Sequence, residues 1–95
     1  MSNPDVKKSL KQFVLSKIKL RDQKLSENTD QEGQLNVLTD YSLYFKGSVE
    51  ALQAAGVDME DLKVVQMVHT SNNTQLESLE QRIALDSLLD EADEE

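Results

Sequence analysis

The chain has one imidazole, no thiol and eighteen carboxylates with which to do acid–base, nucleophilic or metal chemistry near neutral pH. A serine or threonine nucleophile would need His69 as its base and an acid to orient the ring. The nearest hydroxyls, Thr70 and Ser71, leave a helix at other angles than His69 does, so no such pair forms locally. A carboxylate metal site inside a helical bundle wants Glu-x-x-His turned inward. The residue three before His69 is Gln66, which has the length but not the charge. The acids Glu77, Glu80, Asp86 and Asp90 recur at helical spacing and read as a solvated face. The expectation is no catalytic residue, no cofactor-binding residue, no metal ligand, and a protein that is not an enzyme. His69 is expected to be structural, hydrogen-bonded to Asn72, Asn73 or a partner chain.

Three strings match known motifs and lack their context. Asp90–Asp93 spells a helicase box, but no G-x-x-x-x-G-K-[ST] loop accompanies it. Asp86-Ser87-Leu88 has the letters of an acyl-carrier attachment triplet, eight residues from the chain end with no helix expected beyond it. Asn72-Asn73-Thr74 is a glycosylation sequon without a secretion signal.

Charge carries more information than these strings. Seven of the ten Lys and Arg residues fall in the first 25, opposed there only by Asp5 and Asp22, so that segment is +5 (7 − 2). The other 70 residues hold three bases and sixteen acids, a net −13, and the last ten hold six acids and no base. A chain so divided can dock on itself, associate head to tail, or face two partners. Its overall charge of −8 opposes simple nucleic-acid binding by the whole molecule. Lys7, Lys8 and Lys11 are the candidate electrostatic contacts, with phosphates or with an acidic protein surface. A second candidate is the cluster Tyr41, Leu43, Tyr44 and Phe45. If Tyr41 and Phe45 turn inward, Leu43 and Tyr44 are left near the surface, as in partner-binding patches.

These residues must be positioned by helices. Gly and Pro number three and one, and their scarcity removes most hairpin turns. Ser2 or Asn3 can cap a helix that opens with Pro4. Val6, Leu10, Phe13, Val14, Ile18 and Leu25 then form one apolar stripe, predicting a helix over 4–25. Thr29 and Glu32 read as a capping box for a second helix over 30–55, with Leu35, Leu38, Tyr41, Phe45, Val49 and Leu52 inside. Gly56 suits the left-handed residue that ends it, and Asp58 with Asp61 can cap a third over 59–89. The short break makes the second and third helices an antiparallel hairpin.

In that third segment Leu62, Val65, His69, Asn72, Leu76, Leu79, Ile83 and Asp86 follow alternating steps of three and four, a coiled-coil-like seam with a polar middle. The run His69–Asn73 is poor in helix formers and Thr74–Glu77 is another capping box, so a break there would make four helices. With no Gly or Pro to enforce it, one continuous helix is expected. Residues 90–95 are expected to be a disordered acidic tail.

The reading is therefore a single all-α domain over 1–89, a coiled-coil-like bundle of an antiparallel hairpin and an N-terminal basic helix. Its expected role is a non-enzymatic interaction protein: an adaptor, assembly factor or antagonist. Self-association through Leu62, Val65, His69, Asn72, Leu76, Leu79 and Ile83 is expected, because so small a core is often completed by a second copy. Lys7, Lys8, Lys11, Leu43 and Tyr44 are the expected contacts with another protein. An acidic nucleic-acid mimic blocking a basic groove, or a nucleic-acid binder using the first helix, is the alternative. No apolar run reaches the ~20 residues of a membrane span, and without cysteine or a signal-peptide core the chain is expected in the cytoplasm, with no membrane partner.

Overall fold

The computed structural model describes residues 4–93, with side chains over 4–91. Three helices follow one another: α1 (Pro4–Glu27), α2 (Gln31–Ala54) and α3 (Met59–Asp93). They run up, down and up. Lys7 meets Glu60 and Arg21 meets Asn72, so α1 is parallel to α3. Gln31 meets Asp86 while Leu38 meets Asn72, so α2 is antiparallel to α3. The hairpin of α2 and α3 is the most extensive contact, with α1 docked across both. Among the described residues no helix is long and apolar enough to cross a membrane.

Local chemistry explains the boundaries. Asp30 caps α2, its Oδ1 accepting the Gly33 N–H at 3.0 Å. This differs from the expected box of Thr29 and Glu32. Aspartate is the stronger cap, and starting one residue later places Gly33 where the box needs its glutamate. The α1–α2 turn is closed by Asn28, whose Nδ2 donates to the Lys24 carbonyl at 2.7 Å. Gly56 ends the second helix at φ +88°, a conformation that a Cβ would strain. The cap expected at Ser2 or Asn3 lies outside the described residues.

Helix α3 runs unbroken through His69–Asn73. Thr74 does not open a new helix; its Oγ1 donates back to the Thr70 carbonyl at 3.0 Å within the same one. Asn72 and Asn73, which would otherwise compete with the helix for backbone groups, have their carboxamides engaged elsewhere: Asn72 by α1 and α2, Asn73 by Ser42 of α2 and by His69. The helix also continues past Leu89 to Asp93, so the expected tail is helical over 90–93, and residues 94–95 lie outside the described region. No Gly or Pro stands there to stop it.

The apolar core is off-centre. Leu10, Val14, Leu62 and Val65 are buried together, with Val6, Phe13, Ile18, Val49, Leu52, Val57, Val64 and Val68 around them. None of these lies beyond residue 68 on α3. At about 1.5 Å per residue α3 is about 52 Å long against about 36 Å for α1 and α2. Beyond the level of Glu27 it is flanked by α2 alone, and beyond Asp86 it projects from both. The molecule is accordingly a rod of 62 × 22 × 16 Å with a radius of gyration of 16.8 Å, against about 12 Å for a compact chain of this length.

Candidate functional site

The α1 stripe predicted from Val6 to Leu25 faces the hairpin, and one further residue belongs to it. Arg21 lies a helical step from both Ile18 and Leu25 and is 6% exposed. Its Nη1 donates to Asn72 Oδ1 at 3.0 Å, and Asn72 Nδ2 donates to the Leu38 carbonyl at 2.9 Å. One carboxamide thus ties all three helices together. The guanidinium is completed by Asp22, whose Oδ1 accepts from Nε at 3.2 Å and Nη2 at 3.1 Å. A buried cation of this kind is tolerated because its donors are satisfied. The signal for it was present in the sequence: the stripe steps by seven from Ile18 to Leu25, and the position skipped is Arg21.

A second polar chain lies beside the first. Asn73 Nδ2 donates to His69 Nε2 at 3.2 Å, and Ser42 Oγ donates to Asn73 Oδ1. The carboxamide N–H can donate to this ring nitrogen in the tautomer whose proton is on Nδ1. His69 is therefore oriented from its own helix, and the link runs on to α2. Among the described residues no three of His, Cys, Asp and Glu are gathered as a metal site would gather them. The sequon residue Asn72 is wholly buried.

The seam expected for self-association packs within the chain. Leu62, Val65 and Asn72 are buried against α1 and α2, and His69, Leu76, Leu79 and Ile83 are half-buried on the same side. The surface of α3 that remains open is the opposite one. It carries Met67 near one end and Leu85, Leu88 and Leu89 near the other, all more than half exposed. Residues 67, 74, 78, 85 and 88–89 share that side, by steps of seven, four, seven and three or four.

The expected contacts to another protein divide between the two flanks of α1. On the α3 flank, Lys7 and Lys11 join Lys63 around Val64 and Met67 in a groove of about 310 Å³, with the buried Asp61 also in its lining. Lys7 is paired with Glu60 at 3.3 Å across this flank. Lys8 and Lys11 are exposed. On the α2 flank Tyr44 stacks on Phe13 with ring centres 6.0 Å apart. Lys17 Nζ lies 5.3 Å from the Tyr44 ring centre, and Lys24 Nζ 5.7 Å from that of Tyr41. These two lysines, Tyr41, Tyr44 and Asp40 line a groove of about 200 Å³. Leu43 is 65% exposed, while Phe45 is fully buried. The aromatic cluster is split in part as expected: Phe45 is in the interior and Leu43 on the surface, but Tyr41, expected inside, is half-buried and lines the groove. Tyr44 lies between, half covered by α1.

Comparison of the chain with known protein families, with characterised proteins and with solved structures finds no match.

Proposed function

We propose that this protein works by contact alone, as a non-enzymatic cytoplasmic adaptor, assembly factor or antagonist that binds another protein and associates with itself. The observation that supports this most directly is the exposure of Leu43, next in sequence to Tyr44, which lines the groove with Lys17, Tyr41 and Lys24. Tyrosine is enriched in binding hot spots, and an exposed leucine next to it offers apolar surface for a partner to cover. His69 fits this reading as a structural residue, since its Nε2 meets Asn73, which Ser42 links to α2.

Capture from the native host tests the proposal. The wild-type chain and a Leu43→Asp/Tyr44→Ala variant, shown by circular dichroism to be equally helical, serve as baits. The expected result is a defined protein retained by the wild type and lost by the variant. A folded variant that retains the same protein undiminished would move the binding face elsewhere. A chemical conversion by the wild-type chain that His69→Asn abolishes without unfolding would contradict the reading altogether.

A further inference from the structure

The two ends of the open side of α3 are both apolar and are bordered by opposite charges. At the far end Leu85, Leu88 and Leu89 make a stripe at i, i+3 and i+4, exposed by 55%, 63% and 54%. They lie at the end of the molecule where α1 no longer covers α3, and Asp86, Asp90 and Glu91 flank the stripe. At the near end the groove between α1 and α3 presents Val64 and the 62% exposed Met67 to solvent, rimmed by Lys7, Lys11 and Lys63. Glu60 offsets Lys7 there and the buried Asp61 adds a carboxylate to the lining, so among the described residues the exposed Lys11 and Lys63 carry the positive charge of the rim. An acidic amphipathic helix fits a basic-rimmed apolar groove, and the chain carries one of each.

We propose that two copies pair through this side of α3, antiparallel, each seating its Leu85–Leu88–Leu89 stripe in the other's Lys11–Lys63–Met67 groove. This rests on the reading of the protein as self-associating and names the surfaces that meet. A twofold axis makes the two contacts identical, so the interface closes on itself and yields a dimer rather than a filament. Setting Met67 opposite Leu88 of the other copy puts the axis near residues 77–78. There the open side carries Thr74 and Ser78, small enough for two helices to approach closely. The antiparallel arrangement also sets opposite helix dipoles side by side. In the parallel arrangement the acidic ends would face each other, which like charges oppose.

The absence of cysteine allows a direct test. Met67→Cys and Leu88→Cys are made separately in the full chain, mixed, and oxidised. In one chain these positions stand about 32 Å apart along α3, far beyond disulfide reach, so only a bond between copies can form. The proposal expects the mixture to give cross-linked dimers well above either variant alone. Equal cross-linking of a single variant would overturn the register. Sedimentation velocity supplies the second arm. The wild type should dimerise, and Leu88→Asp/Leu89→Asp, both at exposed positions, should keep its helical content while weakening the dimer at least about tenfold. A wild type that is monomeric at about 100 μM overturns the proposal, because contacts weaker than that lie below specific association. A dimer that survives Leu88→Asp/Leu89→Asp also overturns it, while leaving self-association through another surface standing.

Discussion

At Asn72 one carboxamide works from both ends, accepting from Arg21 of α1 and donating to the Leu38 carbonyl of α2. Replacing it by leucine conserves volume but strands a guanidinium donor where Arg21 is only 6% exposed. Leaving such a group unpaired costs about 2–4 kcal/mol. Arg21→Met removes the cation while keeping an unbranched stem, and with Asn72→Leu it converts the layer to apolar packing. The double variant is therefore expected to recover at least half of the stability lost by Asn72→Leu alone, measured by urea denaturation. Simple additivity of the two changes would contradict the linkage, since coupled neighbours depart from additivity by roughly 0.5–3 kcal/mol. This layer was half legible in the sequence. The seam spacing marked Asn72 as a polar residue at an inward position, whereas its partner Arg21 showed only as the position skipped between Ile18 and Leu25, because a charged residue within an apolar stripe reads as a gap. The register of α1 against α3, which brings Arg21 to Asn72, leaves no trace in the periodicity of either helix.

The helices were the most legible elements, because Gly56 and the Asn28–Asp30 turn punctuate long apolar-periodic segments. Their ends were less so, where neighbouring residues compete for one cap. Asp30, not Thr29, satisfies the Gly33 N–H. Asp30→Ala is thus expected to destabilise the protein by about 1 kcal/mol and Thr29→Ala by only a few tenths. The reverse order in thermal or urea unfolding would restore the box at Thr29. For α1 the question is what holds it. Leu10 and Val14 lie in the core and Arg21 beneath α3, whereas Lys7–Glu60 is an exposed pair of the kind worth a few tenths to about 1 kcal/mol. Salt at about 0.5 M screens the exposed pair and hardly touches a buried contact. Hydrogen exchange should therefore show the Val14–Arg21 amides equally protected at low and high salt. A loss of protection confined to α1 at high salt would assign its docking to the lysines instead.

On the scale of the whole molecule, charge is laid out along the rod. Residues 28–32 and 79–93, the end beyond the last turn of α1, hold seven acids and one base (Arg82), a net −6. The basic residues of α1 gather alongside the core end, where the helices are packed most fully. This polarity was visible in the sequence as an uneven count of charges. Which apolar residues stay open was not, because Leu85, Leu88 and Leu89 have the same periodicity as buried leucines, and only the lengths of α1 and α2 decide that nothing covers them. If contact is the function and opposite charges guide it, association must weaken as salt rises, since exposed charges are screened beyond about 8–10 Å at physiological ionic strength. Sedimentation equilibrium of the intact chain, at about 0.05 M and about 0.5 M salt, is the most direct measurement. The expected result is a monomer–dimer equilibrium whose dissociation constant rises several-fold at the higher salt. A chain that stays monomeric at both, or a dimer indifferent to salt, would contradict the account.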